Sequence, residues 1–289
     1  MKSILKSLLV FVLLAAAGFA ADDFAETKKK AEAGDSEAQW LLGCRFSWGN
    51  DGVAQDGQEA MKWWRKAAEA GHRQALSQLG WVYRRGEGVT PDATKAMEWF
   101  KKAAIAGNAL AAHEAALMLR DGVEVPKDEA EALKMYRIAA EFGDEEAQVE
   151  LGTTYFYGKG TPKSTKDAAK WFKLAAQQGN PTAQTFLGEM YSDGDGVPKN
   201  YAESVRLLLL AADQGFRTAQ FYLGLRYYKG EGVPKDLVQA HVWWNIAGAK
   251  GDEDAKKNLA VVEKEMTDSQ KEKAMDLARE LFAKLPKGK

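Results

Sequence analysis

The chain has 289 residues, 46% of them hydrophobic and 10% aromatic, with 40 Lys and Arg set against 41 Asp and Glu. Acids and bases are interleaved, which excludes the clustered positive charge of a nucleic-acid footprint. The single cysteine, Cys44, excludes an internal disulfide framework, so any exported form must be stable on packing alone.

At the start of the chain, Lys2 and Lys6 precede an apolar run from Leu8 to Ala17, then Gly18-Phe19-Ala20. Small residues at 18 and 20 suit a signal peptidase, so residues 1–20 read as a signal peptide cleaved after Ala20. The run is short for a membrane anchor, and no stable membrane insertion is expected after cleavage. The residue directly after the cut is Ala21 and not a cysteine, which argues against a lipid-modified N-terminus. Cleavage leaves 38 basic against 41 acidic residues, a net charge near −3. Residues 21–34 form an expected N-terminal capping helix, from about Asp23 to Ala33.

From there a ladder takes over. Gly71, Gly107, Gly143, Gly179, Gly215 and Gly251 recur every 36 residues, and Ala75, Ala111, Ala147, Ala183, Ala219 and Ala255 recur in step with them. A supersecondary unit copied in this way cannot bury its own apolar face and relies on stacking. Residues 72–107 serve as the type unit. Ala75, Leu79, Gly80 and Tyr83 align on one face of a first helix, expected from about Gln74 to Arg85. Ala75 and Gly80 are small because another helix must approach closely there.

The next segment, Gly86-Glu87-Gly88-Val89, is the turn of a helical hairpin. Asp92 then begins a slot occupied in successive units by Asp56, Asp92, Asp128, Ser164, Asn200 and Asp236, all good N-cap residues. The second helix runs through Ala96, Trp99, Ala103 and Ala104 and stops at Gly107, an expected left-handed C′ residue. Six units follow, at 35–71, 72–107, 108–143, 144–179, 180–215 and 216–251. Residues 252–289 are a degenerate repeat and C-terminal capping helix that begins with a cap at Thr267 or Asp268. In the third unit Ala116 replaces the packing glycine and Glu124 the second turn glycine. With no linker in the period, a single elongated domain is expected.

The pattern Ala75, Leu79, Gly80, Tyr83, Gly86, Gly88, Val89, Asp92, Ala96, Trp99, Phe100, Ala103, Ala104, Gly107 resembles the Sel-one-like repeat (SLR) family, relatives of the tetratricopeptide repeats. The likeness recurs at 147–179, 183–215 and 219–251. It implies an all-α fold, an α/α superhelix that is a right-handed solenoid of antiparallel helix pairs, and an adaptor role, often in exported bacterial proteins. Some relatives are described as binding or hydrolysing β-lactams, but this chain lacks the paired cysteines of that branch.

Catalytic signatures dissolve on inspection. The one Ser-x-x-Lys match, Ser3 to Lys6, lies inside the signal, and His72, His113 and His241 stand in different repeats without ligand spacing. Asp193-Gly194-Asp195-Gly196 opens like a calcium loop but has Ser204 where a bidentate acid is needed. Gly152 to Gly160 has the wrong spacing for a phosphate loop. Cys44 reads as a packed, idle thiol. No cofactor or metal is expected.

Nine tryptophans remain. Trp63, Trp99, Trp171 and Trp243 share one slot and Trp64 and Trp244 the next, which is core behaviour. Trp40, Trp48 and Trp81 fall on the variable side of the first helices, at positions three, seven, ten and eleven counted from each leading alanine. First helices are expected to line the inner curve, and aromatic and arginine side chains dominate the centres of protein interfaces. The expected partner-binding residues are Trp40, Trp48, Trp81, Arg84, Arg85, Arg120, Phe156, Tyr157 and Tyr228, and the same rings could instead seal adjacent repeats. The leading reading is an exported, periplasmic or secreted, non-catalytic adaptor for a protein or peptide. A β-lactam or cell-wall hydrolase and a secreted effector are the competing readings.

Overall fold

A computed structural model describes residues 24–49 and 53–286. The expected signal peptide and the turn residues Asn50, Asp51 and Gly52 lie outside the described residues. Among the described residues there are helices and no strands, as the α/α repeat class requires. Contacts divide the chain into two compact units, Met1–Phe142 and Gly143–Lys289. The unbroken period suggested one elongated domain; in a repeat array each hairpin touches only its neighbours, so division between repeats leaves every hairpin whole.

The first unit carries α1 (Phe24–Glu32) and three hairpins: α2 (Ser36–Trp48) with α3 (Gly57–Glu69), α4 (Arg73–Arg85) with α5 (Ala93–Ile105), and α6 (Ala109–Asp121) with α7 (Glu129–Glu141). The second carries α8 (Glu145–Tyr157) with α9 (Thr165–Gln177), α10 (Pro181–Asp193) with α11 (Tyr201–Asp213), α12 (Arg217–Lys229) with α13 (Leu237–Ala249), and then α14 (Glu253–Glu265) and α15 (Asp268–Lys284). Inside each unit a first helix packs on its own second helix, and that helix on the following first helix.

Local chemistry marks each boundary. Asp56, Asp92, Asp128, Ser164, Asn200 and Asp236 all accept hydrogen bonds from the first backbone N–H groups of their second helices. A second set of caps, unmarked in the sequence reading, starts the first helices: Asp35, His72, Asn108, Asp144 and Asn180. Phe216 takes that slot in the sixth repeat without a side-chain cap. Second helices end on left-handed glycines, as Gly107 does at φ 84°.

Hairpins close through a glycine opposite a large side chain. A Cβ on Gly80 would stand 2.5 Å from the Phe100 ring, on Gly152 2.6 Å from Phe172, and on Gly224 2.5 Å from the Trp244 ring. Those rings are buried because the glycine lets the helix backbone lie against them. In the third hairpin Ala116 faces the same slot, and the ring there, Tyr136, is tilted against His113 at 5.8 Å. Hairpins are tied to the element before them, the first to α1 and later ones to the preceding hairpin, by buried glutamines that follow the leading alanine. The amides of Gln39, Gln184 and Gln220 donate to the carbonyls of Ala31, Ala176 and Ala212 at 3.1, 3.3 and 3.1 Å. The leading alanines Ala38, Ala183 and Ala219 are themselves buried, and a buried hydrogen bond is stronger than one in water.

The α15 cap begins at Thr267 with a reciprocal capping box to Gln270. Its Ala274 and Ala278 are buried in one cluster with Trp243, Trp244 and Ile246 of α13.

Candidate partner-binding face

In the first unit the expected face separates into side chains that hold the fold and side chains that face solvent. Trp40 is half-buried and stacked on His72 at 5.4 Å, while His72 caps α4 and bonds Glu37 at 2.9 Å. Trp81 packs edge-on against buried Phe100 at 5.1 Å, with the Arg85 guanidinium 4.7 Å from its ring centroid.

Arg84 is a clamp between repeats. It donates to Glu114 at 2.9 Å and to Glu124 at 2.8 Å, and the Glu114 side chain is only 6% exposed. Partial burial works against the guanidinium's charge, but the hydrogen bonds and charges of Glu124 and Glu114 outweigh it and raise its affinity for the proton. The replacement of a turn glycine by Glu124 therefore supplies the second arm of this clamp. Trp48, Arg85 and Arg120 remain exposed, Trp48 at 43%. Arg85 pairs with Glu87 and Arg120 with neighbouring Asp121.

In the second unit Phe156 and Tyr157 pack edge-on at 5.1 Å and both meet Phe186, which stacks on buried Phe172 at 4.8 Å. Tyr157 keeps 55% of its surface exposed. Tyr228 lies 5.6 Å from Trp244, and its hydroxyl donates to Glu265. Phe156 and Tyr228 thus act as seals as well as face residues, whereas Tyr157 projects.

The sequence reading passed over one cluster on this unit. Arg226, 4% exposed, donates through Nη2 to both oxygens of Glu189 at 3.0 and 3.3 Å and through Nη1 to Glu231. The Tyr201 hydroxyl also donates to Glu231, at 3.2 Å. Burial pushes the Glu189 carboxyl up to about 7 against the attraction of Arg226. The signal was visible: position eight of the repeat holds Val82, Met118, Thr154 and Met190 in the middle four units but arginine, Arg45 and Arg226, in the first and last, and both arginines are buried.

The arrangement carries little chemistry of its own. Cys44 is buried, and burial pushes its thiol up to about 12, so it stays protonated at neutral pH. His241 is fully buried against Glu263. Among the described residues no group of three or more His, Cys, Asp or Glu could hold a metal ion, and no helix is long and apolar enough to cross a membrane.

Fold and face together define an α-solenoid repeat protein, the class whose members present extended surfaces to partners. The Sel1 repeat model matches residues 36–72, 73–108, 109–144, 145–180, 181–216 and 218–252. The chain belongs to the Sel1 repeat family. It is similar to a protective antigen with an SLR fold from uropathogenic Escherichia coli, at 35% identity and a TM-score of 0.67, over 90% of this chain and 56% of that one. A Sel1 repeat protein from Oxalobacter formigenes matches at 31% identity and a TM-score of 0.59, over 88% and 75%. The chain thus spans little more than half the length of the antigen. No curated protein matches it.

Proposed function

We propose that this protein is an exported, non-catalytic scaffold that holds a protein or peptide partner on the first-helix face of its repeats. The observation that carries the reading is the exposed set Trp48, Arg85 and Arg120 on helices whose other sides are sealed by buried alanine, leucine and glycine. Exposed aromatic and arginine side chains on a rigid frame are the residue types that partners use as anchors. Export to the periplasm or the medium rests on the N-terminal pattern Lys2, Lys6 and Gly18-Phe19-Ala20.

Crosslinking capture from the source cell's envelope, read by mass spectrometry, tests the reading. Trp48→Ala and Arg85→Ala should lower recovery of the captured protein while leaving thermal unfolding within about a degree or two, as expected for surface changes. Undiminished capture in both variants would refute the assigned face. Nitrocefin turnover by the purified chain would refute the non-catalytic role.

A further inference from the structure

At the turn ends of the hairpins, the first two repeats meet less tightly than repeats of the second unit do. The second turn glycine of repeats five and six sits on the first residue of the preceding second helix. A Cβ on Gly196 would stand 2.3 Å from the Thr165 carbonyl oxygen, and one on Gly232 2.4 Å from that of Tyr201. Gly88 and Gly57 hold those slots in the first unit, and there the nearest atom to a Cβ on Gly88 is Nε2 of Gln58, at 3.9 Å. The Gln58 amide spans the gap by donating to the Gly88 carbonyl at 2.9 Å.

A hollow of about 250 Å³ opens at this joint, between α2, α3, α4 and the turn that follows α4. Met61, Trp64 and Val82, all buried, form its floor. Trp64 turns its indole nitrogen toward Gly43 of α2, where that atom is buried, so the ring meets the hollow through carbon. The rim is polar, with Ser47, Gln55 and Glu87 around it. The Gln55 amide donates to the Ser47 carbonyl at 3.0 Å, which leaves its carboxamide oxygen to accept from a peptide N–H.

The rim is continuous with the exposed face described above. Ser47 directly precedes exposed Trp48, and Glu87 pairs with exposed Arg85 at 3.3 Å. An apolar cavity of about 150 Å³ is enough to take benzene, so this one has room for a phenyl ring and the methylene that carries it. A thioether and an indole on the floor favour an aromatic ring over an aliphatic chain of similar size. We propose that this hollow receives an aromatic side chain, of the phenylalanine kind, from a peptide segment of the partner. The site rests on the scaffold reading and gives it a pocket between its anchors.

The test is NMR of the full chain, isotopically labelled at its methionine methyl groups, titrated with N-acetyl-phenylalanine amide and with the leucine and alanine counterparts. The Met61 methyl signal, assigned by its loss in Met61→Leu, should move with the phenylalanine amide while those of Met135 and Met190 stay. The phenylalanine amide should bind about tenfold or more tighter than the alanine amide, and about threefold tighter than the leucine amide. Gly57→Leu starts from a Cβ position with no atom within 4 Å, and Val82→Met lengthens a floor side chain. Each should weaken the phenylalanine amide about tenfold with unchanged helicity. An unmoved Met61 signal, equal binding of the phenylalanine and alanine amides, or full affinity in both variants overturns the site; tighter binding of the leucine amide overturns its aromatic character. In envelope capture, Gly57→Leu should lower recovery, and undiminished recovery overturns the partner's use of the hollow. Absence of amide binding with capture still dependent on Trp48 and Arg85 refutes the hollow alone. Amide binding with capture lowered by Gly57→Leu but indifferent to Trp48→Ala and Arg85→Ala supports the hollow and refutes the assigned anchors alone.

Discussion

At single positions, the spacing of 36 residues hides unequal roles that contact distances separate. Gly80 and Gly188 occupy the same slot, yet an added Cβ meets the buried Phe100 ring at 2.5 Å in one case and the branch of Leu208 at 3.1 Å in the other. Alanine gains about 1 kcal/mol of helix propensity over glycine, while overpacking against a locked ring costs about 1–3 kcal/mol. Gly80→Ala should therefore destabilise by about 1 kcal/mol and Gly188→Ala should be near neutral, measured by urea unfolding. Equal effects would show that the ring at the first site has room to move. The arginine pair at 84 and 85 divides in the same way. Arg84→Ala leaves Glu114 buried without its arginine and should cost about 1–3 kcal/mol, whereas exposed Arg85→Ala should stay within about 0.5 kcal/mol.

Between helices, two titrating groups of the second unit act on stability with opposite signs. His241 on α13 is fully buried, and burial lowers its pKa below the ordinary 6.5 even though Glu263 attracts its proton. The unfolded chain then binds more protons than the folded one as pH falls below 6.5, so this contribution to stability is present above 6.5 and lost on acidification. Glu189 on α10 is raised from 4.5 to about 7, so the folded form holds the extra proton, and its contribution is present below 4.5 and lost as pH rises through 7. Urea midpoints at pH 5, 6, 7 and 8 should separate them. His241→Leu, the residue type found at 133 in the same slot, should remove the acid-side loss. Glu189→Gln should remove the loss toward neutral pH. A slope identical to that of the parent in either variant would disprove that group's role.

Within each unit a hairpin lends its neighbour the cover it lacks, and the last hairpin of the second unit is covered by α15. Removing residues 268–289 uncovers the cluster that holds Trp243, Trp244 and Ile246 with Ala274 and Ala278. The shortened chain should unfold at a lower temperature and associate, because an open repeat end exposes a continuous apolar surface. A truncated chain that stays monomeric with the parent's melting temperature would refute the capping role.

The periodic alanines and glycines, the polar slot before each second helix and the turn glycines determined the helices, the hairpins and the repeat family from sequence alone. They did so because capping, backbone conformation and close helix contact depend on residue types at short spacing. Which face residues are anchors and which are seals was not encoded at that range. Trp81 and Trp48 read alike in the chain, and only the position of Phe100 beneath one ring distinguishes them. Arg84 meets Glu114 and Glu124, and Arg226 meets Glu189, only when neighbouring repeats bring them within hydrogen-bonding distance. Charges separated by 30 or 40 residues meet through packing, and burial then sets their strength, so the tertiary structure alone decided them.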